Sequence, residues 1–243
     1  MKFITTSWDD GHELDFKLAA LLDKYKLPGT FYIPKTNLER SVMSPAQVKE
    51  LSRSFEIGGH TLSHIRLSFN DKHLLENEIA GSYKWLGDLL GFSPVSFCFP
   101  GGVFNNEAVD AVFAAGYKLA RTTELISTNN INSNRLMPTS LQLYEHPVLS
   151  YVKNTIKRRR WHSLLRLLKN NSEKNIVNLT YYYLHQIEQN GGCFHLWGHS
   201  WEIEEYGLWN KMEEVFKIMS DKTNFICLLN KEILDYPLNQ PGY

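Results

Sequence analysis

The feature that most limits the fold of this chain is an alternation of short apolar runs with longer amphipathic stretches over its first 122 residues. The apolar runs have the length of buried strands, and the amphipathic stretches carry apolar residues at helical spacing. The predicted strands are residues 3–8, 30–33, 55–57, 94–99 and 117–122, and the predicted helices are 14–25, 44–53, 71–90 and 106–115. Strands that alternate with helices predict a parallel sheet or an α/β barrel with its helices outside.

Helix boundaries are marked by capping residues. Ser44, Pro45 and Gln47 have the residue types of an N-cap, a first helical position and a third helical position. Gly91 follows a long amphipathic stretch and is typical of a helix end. These signals support helices that begin near residue 45 and end near residue 90.

The second half of the chain repeats the alternation less regularly. Residues 123–134 are polar and predict a loop, and 135–144 predict a sixth strand that Pro138 weakens. Further predicted helices are 148–169, 173–190 and 208–219, and further predicted strands are 193–197 and 225–229. The sequence contains no internal repeat or linker, so we expect one domain over residues 1–243.

Composition excludes several classes of function. The formal net charge is zero, which argues against nucleic acid as a partner. No apolar run approaches the ~18 residues of a transmembrane segment, and the N-terminus enters a strand at once instead of forming a signal peptide. Cys98, Cys193 and Cys227 lie in separate apolar runs and predict buried free thiols. We therefore expect a cytoplasmic protein, of unspecified oligomeric state.

Three side chains near strand ends suggest a metal site. The strand at 55–57 is followed by two glycines and then by His60 and His64, which a helical turn would place on one face. The first strand ends in Asp9 and Asp10. Two imidazoles and one carboxylate form a half-shell of ligands with positions left open for water and substrate. We predict a divalent metal here, zinc first, with cobalt, nickel, manganese or iron as alternatives.

A further histidine follows the strand at 193–197. Because ligands gather at the carboxyl ends of parallel strands, His199 is expected to meet Asp9, Asp10 and the histidine pair. His195 lies four residues earlier and is a rival for any catalytic role. One of the two is expected to be a core histidine with its hydrogen bonds satisfied.

Together these motifs resemble the polysaccharide deacetylase family, the chitooligosaccharide deacetylases of carbohydrate esterase family four. The matching segments are Ser7-Trp8-Asp9-Asp10-Gly11, His60-Thr61-Leu62-Ser63-His64, Cys98-Phe99-Pro100-Gly101-Gly102 and the strand end at His199. The resemblance covers about the first 120 residues and the region of His199, and leaves 123–192 unmatched. It implies a distorted (β/α)7 barrel of the polysaccharide deacetylase type.

The resemblance also implies roles for individual residues. Asp10, His60 and His64 would bind the metal, and Asp9 would be the general base that takes a proton from water. His199 would be the general acid that protonates the leaving amine. The backbone N–H of Gly101 would help to hold the oxyanion.

The sequence departs from the family pattern at two positions. Many members carry an arginine that holds the base where this chain has Cys98, and Arg121 at the end of the fifth predicted strand is our candidate replacement. Gly101 stands where the family has an aromatic residue, which removes a side-chain contact with substrate. A stacking face for a sugar could come instead from a tryptophan near a strand end: Trp201 first, then Trp8 and Trp197.

These observations predict a metal-dependent deacetylase that removes an N-acetyl group from a sugar or glycan. The basic run Lys157-Arg158-Arg159-Arg160 is ordinarily a solvated helix face, but could steer a phosphate-linked or lipid-carrier-linked glycan. Glu202 could support His199, although a solvated helix start is the default. The alternatives are a hydrolase of a non-sugar carbon–nitrogen amide, a non-haem iron oxygenase and a non-catalytic glycan-binding protein.

Overall fold

A computed structural model of the chain describes residues 1–68, 71–129, 131–132, 135–144 and 175–236. The predicted helix at 148–169 and its basic run, Lys157 to Arg160, lie outside the described residues.

The described chain alternates strands with helices, as the sequence predicts. Strands β1 to β9 span Lys2–Asp9, Thr30–Ile33, Glu56–Gly59, Ser96–Cys98, Leu119–Arg121, Leu136–Met137, Leu141–Gln142, Gly192–Gly198 and Ile226–Cys227. Helices α1 to α7 span Asp15–Lys24, Pro45–Leu51, Lys72–Leu90, Asn106–Ala115, Ile176–Asn190, Ser200–Glu205 and Trp209–Ser220. Two 3-10 turns span Pro100–Gly102 and Asn230–Asp235.

Helix ends follow the local chemistry of the sequence. Helix α2 begins with a full capping box, in which the Ser44 side chain accepts from the Gln47 N–H and the Gln47 side chain accepts from the Ser44 N–H. Helix α3 ends at Gly91, whose left-handed φ of 80° is natural for glycine at this position. Both boundaries were predicted from the sequence and are confirmed.

The strands form one parallel sheet in the order β6-β5-β4-β3-β2-β1-β8-β7. Strand β1 lies near the middle and pairs with β8 over Lys2–Trp8. Strands β9 and β2 both pair with β1 as well, β9 near its start and β2 near its end. Residues from both halves of the chain therefore build the same sheet, and the carboxyl ends of all its strands lie at one edge.

The sheet curls because its two outer strands are consecutive in sequence. Strands β6 and β7 stand at opposite ends of the hydrogen-bonded order, yet only residues 138–140 separate them. Pro138 lies in this link and has no N–H to give a ladder, which explains why the predicted sixth strand is split into two. The short link draws the ends of the sheet together into a curled, barrel-like sheet, which confirms the predicted architecture.

The helices cover the outside of this sheet with their apolar faces. The larger core joins residues of β1, α1 and α7, including Ile4, Leu18, Leu22, Val215 and Phe216. A second core packs α3 and α4 against β4, through residues such as Ile79, Phe97 and Val112. Packing on the outside leaves the carboxyl ends of the strands free to carry polar groups.

The prediction of buried free thiols is confirmed for two of the three cysteines. Cys98 and Cys193 are buried free thiols as expected, but Cys227 is exposed, because β9 is a two-residue strand with both side chains open to solvent.

No helix in the described part of the chain combines the length and the apolar character needed to cross a membrane.

Candidate metal and catalytic site

The carboxyl ends of the strands open into a cavity of about 770 Å³, a volume within the usual range of ligand sites. The lining residues come from strand ends and from the segments that follow them. They include Asp9, Asp10, His60, His64, Gly101 and His199, together with Asn37, Leu38, Glu39, Ser63, Ile65, Arg66, Pro100, Thr123, Leu125, Gln142, Trp197 and Trp201. The structure thus brings together every candidate catalytic or metal-binding side chain that the sequence indicated, except Arg121, which lies behind Asp9.

The end of β1 turns sharply so that its two carboxylates face different partners. Asp10 has a left-handed φ of 79° and Gly11 a φ of 62°. Aspartate tolerates this conformation better than most residues, whereas a Cβ at position 11 would lie 2.6 Å from Cγ2 of Ile33. Both residue types are therefore required by the turn itself.

The two histidines meet through a loop, and the predicted helical turn is wrong. Residues 60–64 are not helical, and Thr61 and His64 have left-handed φ values of 63° and 57°. The ring centroids of His60 and His64 are 5.1 Å apart. The loop keeps its shape because Glu78 of α3 accepts hydrogen bonds from the N–H groups of Leu62 and Ser63, at 3.0 and 2.9 Å.

Asp10, His60 and His64 present three ligand atoms to one point. Asp10 Oδ1 lies 2.9 Å from Nε2 of His64 and 3.5 Å from Nε2 of His60. Atoms of the three residues that can bind a metal all lie within 4.8 Å of one another. This set of two imidazoles and one carboxylate fits a divalent transition metal.

Surrounding groups orient these ligands. The Nδ1–H of His60 donates to the Cys98 carbonyl at 2.8 Å, which leaves Nε2 as the ligand atom. The indole N–H of Trp201 donates to Oδ2 of Asp10 at 2.8 Å, which leaves Oδ1 facing the histidines. Burial alone would raise the pKa of Asp10, but the bonds to His60 and His64 outweigh burial and lower it, so the carboxylate is ionised.

Asp9 pairs with Arg121, and its carboxylate also lies close to His60, because ligand atoms of Asp9, His60 and Cys98 lie within 4.8 Å of one another. The guanidinium donates to Asp9 Oδ1, and both side chains are buried. The thiol of Cys98 lies 3.6 Å from Asp9 Oδ2 and, since burial raises its pKa well above the ordinary value, stays protonated as a weak donor. Cys98 and Arg121 are register partners in the β4–β5 ladder. Arg121 therefore reaches the carboxylate from the strand next to the one that the family motif uses.

His199 and His195 lie in different environments. The Nδ1–H of His199 donates to Oε2 of Glu202 at 3.1 Å, and that oxygen also accepts from Gln142 at 3.0 Å. Burial lowers the pKa of His199, but the Glu202 carboxylate together with Asp10 and Asp9 outweighs burial and raises it to about 9.

His195 is the core histidine of the pair. It is fully buried, its Nδ1–H donates to the Pro138 carbonyl at 3.2 Å, and its Nε2 accepts from Ser7 at 2.8 Å. Burial lowers its pKa well below the ordinary value, so the ring is neutral. These two bonds use both ring nitrogens and connect β8 to Pro138 and to Ser7 of β1. His195 is therefore a structural residue without a role at the cavity.

The predicted tryptophan contacts with a sugar need revision. Trp8 is fully buried and packs edge-on against Phe216, so its assignment as a substrate-binding residue is wrong. Trp201 lines the cavity, but the guanidinium of Arg40 lies 3.3 Å from its ring centroid and covers one face. With its N–H on Asp10, Trp201 contacts the metal-binding side of the cavity, and the face under Arg40 is closed to a sugar.

Two residues near the site were missed from the sequence. Glu78 looks like an ordinary polar residue of an amphipathic helix, and Arg66 lies in a loop without any motif. Each acts on a segment distant in sequence: Glu78 on the histidine loop and Arg66 on the turn at Gly101. The proximity of Arg66 to the histidine motif, two positions after His64, is the one signal that could have marked it.

Sequence comparison relates the first half of this chain to known proteins. Residues 1–120 match the profile of the polysaccharide deacetylase family. The peptidoglycan-N-acetylglucosamine deacetylase of Bacillus cereus is 31% identical over 123 residues, which cover 48% of this chain and 54% of the relative. A candidate polysaccharide deacetylase of Bacillus subtilis is 27% identical over 126 residues, which cover 51% of this chain and 45% of the relative. The chain thus spans about half the length of the curated relatives it matches.

Solved structures share the fold over nearly the whole chain. A candidate polysaccharide deacetylase from Mycobacterium smegmatis aligns with a TM-score of 0.68 at 14% identity, covering 99% of this chain and 94% of its own. A family 4 acetyl xylan esterase from Clostridium thermocellum, solved in complex with a cobalt ion, aligns with a TM-score of 0.56 at 14% identity, covering 96% of this chain and 91% of its own. At these identities the likeness concerns the fold, and it confirms the distorted barrel of this family.

Proposed function

We propose that the chain is a polysaccharide deacetylase, since its first 120 residues match the profile of that family, and that it is a metal-dependent hydrolase that removes an N-acetyl group from a sugar or glycan. One observation carries the proposal. Three ligand atoms from Asp10, His60 and His64 face one another at the base of a cavity, beside a second carboxylate that an arginine holds in place. Metal-assisted amide hydrolysis uses this pairing of a Lewis-acid site with a separate base.

The metal would be held by Asp10, His60 and His64. A divalent ion bound there supplies a lowered pKa for coordinated water and polarisation of the substrate carbonyl. Zinc is our first choice, because imidazole and carboxylate ligands in a three-residue set with open positions are typical of catalytic zinc. Cobalt, nickel, manganese or iron would be accepted by the same ligands.

Asp9 would act as the general base. Its Oδ1 is occupied by Arg121, so Oδ2 is the oxygen that can take a proton. The neighbouring Cys98 thiol is too weak a donor to block this oxygen, at 3.6 Å. Arg121 stays charged inside the barrel and keeps Asp9 fixed in one orientation. In the family pattern, an arginine on the preceding strand has this function.

His199 would protonate the leaving amine. Its Nδ1–H is bonded to Glu202, so its Nε2 is the atom available to the substrate. The raised pKa of His199, about 9, keeps the ring protonated at neutral pH, as an acid requires. The N–H of Gly101, in the turn that lines the cavity, would donate to the developing oxyanion.

The substrate class follows from the cavity and the relatives together. The curated Bacillus cereus relative is named for peptidoglycan N-acetylglucosamine, and the cavity volume of about 770 Å³ lies within the usual range of small-molecule sites. A glycan linked to a phosphate or a lipid carrier, and a cytoplasmic location, stay predictions. The same machinery would also cleave a non-sugar amide, and this is the alternative that the site geometry supports equally well.

Acetate release tests the proposal. The protein is stripped with a chelator, reloaded with zinc, cobalt or nickel, and given N-acetylglucosamine trisaccharide, with release measured in air and without oxygen. We expect release that depends on metal and is independent of oxygen, which an oxygenase would not show. Asp9→Asn should lower kcat by a factor on the order of 100 or more while leaving metal affinity by calorimetry unchanged.

Three outcomes would overturn parts of this proposal. A protein that binds no divalent metal has no site of this kind. A metal-loaded protein that binds the trisaccharide without hydrolysing it would be the non-catalytic glycan-binding protein. Full turnover by the Asp9→Asn variant would remove the base assignment.

A further inference from the structure

The turn at Gly101 is filled by a side chain from another loop. Gly101 has a left-handed φ of 61° and carries no side chain into the cavity. A Cβ at this position would lie 3.3 Å from Nε of Arg66 and 3.8 Å from its Cδ and Cγ. Arg66 therefore passes over the glycine, in the space where the family pattern places an aromatic side chain. Its stem is held against the turn and its guanidinium belongs to the wall of the cavity.

This guanidinium stands out among the charges of the cavity. Among the described residues that line the cavity, Arg66 is the only lysine or arginine. Within the ranges that the structure describes, no carboxylate oxygen lies within ion-pair distance of it. Arg66 is exposed and lacks an acidic partner among the described residues, so its five donors are open to a ligand.

The acidic groups of the same cavity have other partners. Asp9 is paired with Arg121, and Asp10 faces the two histidines. Glu39 also lines the cavity, but it is not within ion-pair distance of Arg66. The acidic groups are thus concentrated around the metal-binding side, and the side formed by Arg66 and Gly101 is positive.

We propose that Arg66 selects a glycan carrying an anionic substituent, a carboxylate or a phosphate, beside the N-acetyl group that is hydrolysed. The inference rests on the proposed deacetylase function and specifies its substrate. A planar guanidinium matches both carboxylate and phosphate through two parallel hydrogen bonds, which gives orientation as well as affinity. A substituent bound there would lie next to the Gly101 N–H, so that it would fix the amide carbonyl relative to the oxyanion donor.

The test compares three trisaccharides of N-acetylglucosamine: the neutral compound, one with a C6 hydroxyl oxidised to a carboxylate, and one phosphorylated at C6. Each is assayed with the metal-loaded protein for kcat/KM of acetate release and for Kd by calorimetry. We expect a preference of about 5- to 50-fold for at least one of the charged compounds over the neutral one. The two charged compounds distinguish a carboxylate from a phosphate as the natural group.

Variants assign the preference to Arg66. Arg66→Gln should abolish the preference, because it should lower kcat/KM and weaken binding for the charged compounds more than for the neutral trisaccharide, whereas Arg66→Lys should keep part of the preference. Arg53→Gln is the matched control, since Arg53 is an exposed arginine beyond the end of α2 and does not line the cavity. It removes the same charge from the protein and should retain the full preference.

The outcomes separate this inference from the proposed function. Equal kcat/KM and equal Kd for the charged and neutral compounds, or a preference that survives in Arg66→Gln, would overturn the role of Arg66 and leave the deacetylase intact. Absence of acetate release from all three compounds would overturn the proposed function, and the Kd values would still decide whether Arg66 selects anionic glycans.

Discussion

Among single residues, Asp9, the proposed base, is held by an arginine that the neighbouring strand provides. Cys98 and Arg121 face each other in the β4–β5 ladder, so exchanging the arginine between these two positions moves it by one strand spacing. The thiol is small and leaves room for the guanidinium, which is fully buried. Cζ of Arg121 lies 4.7 Å from the ring centroid of Trp197 and 5.3 Å from that of Tyr32. We therefore infer that Arg121 compensates for the arginine that the family pattern has at position 98, since it keeps a guanidinium beside Asp9.

Removal of Arg121 should damage both stability and activity. Arg121→Gln leaves Asp9 buried without its cation, and we expect the free energy of unfolding to fall by about 3–5 kcal/mol. We expect kcat to fall on the order of 100-fold, because the base is no longer oriented. Urea denaturation and acetate release measure the two effects, with Arg53→Gln as the control.

The exchange can also be reversed. Cys98→Arg introduced into an Arg121→Ala background should recover at least about a tenth of the lost kcat, since the guanidinium returns from the adjacent strand. An Arg121→Gln protein with undiminished kcat, or no recovery in a folded double variant, would contradict the shared role of these two positions.

The pH dependence of activity should report the contact between His199 and Glu202. An acid must be protonated, so activity is lost as pH rises through the pKa of His199, which is raised to about 9. Glu202→Gln removes the carboxylate that raises this pKa against the effect of burial. We therefore expect the alkaline limb of the kcat/KM profile to move to lower pH.

A neighbouring residue provides the control for this shift. Glu204→Gln is this control, because Glu204 lies in the same helix as Glu202 but is exposed, and its partners are Lys17 and Trp209. Its alkaline limb should match that of the unmodified protein. If Glu202→Gln also left the limb in place, His199 would not be the group that titrates.

At the scale of elements, a helix supports the loop that carries two of the three predicted metal ligands. Glu78 projects from α3 and accepts bonds from Leu62 N–H, Ser63 N–H and the Ser63 hydroxyl, the last at 2.5 Å. The loop needs this support because Thr61 and His64 have left-handed backbone conformations, which cost energy in residues with a Cβ. The long helix is thus part of the site although it contributes no ligand.

Loss of this support should weaken the metal site. Glu78→Gln keeps the size of the side chain but reduces its capacity to accept three hydrogen bonds. We expect zinc affinity, measured by competition with a chelating dye, to fall about 10- to 100-fold, the usual cost of losing a group that orients ligands. Glu76→Gln, on the exposed face of the same helix, should leave the affinity unchanged. Unchanged affinity in Glu78→Gln would show that the loop keeps its shape without α3.

At the scale of the whole molecule, a polar cluster joins the two ends of the described chain inside the barrel. Asn230 accepts from Thr5 at 2.5 Å and donates to the Tyr32 hydroxyl at 2.9 Å. Its own N–H donates to Thr30 at 3.1 Å. Glu56 adds bonds from Thr30, Ser96 and the Lys231 N–H. These contacts attach the last 3-10 turn to strands β1, β2 and β3, at residues remote from the cavity.

Truncation of Asn230 should therefore lower stability without changing the site. Asn230→Ala leaves buried hydroxyl groups of Thr5 and Tyr32 without this partner, and we expect the free energy of unfolding in urea to fall by roughly 2–4 kcal/mol. Zinc affinity and KM below the unfolding range should be unchanged. Asn106→Ala, at an exposed helix start, should change stability by less than about 0.5 kcal/mol. A stable Asn230→Ala protein would mean that the cluster is dispensable.

The alternation of elements, the helix caps and most of the candidate site residues could be predicted from the order of amino acids. Apolar periodicity is a local property, and so are the capping preferences at Ser44 and Gly91, which explains why the positions of these elements follow from the order of residues alone. Asp10, His60, His64 and His199 could be proposed together because strand ends of a parallel sheet share one edge. The motif residues then indicated the chemistry.

Tertiary structure decided how distant segments meet. The pairing of β7 with β8, the pairing of Cys98 with Arg121 and the support that Glu78 gives the histidine loop all depend on neighbours remote in sequence. Periodicity within a segment contains no information about which side chain from another segment will be in contact with it. The loop conformation at His64 and the sugar contact of Trp8 were wrongly predicted for the same reason, because each is set by packing across the barrel.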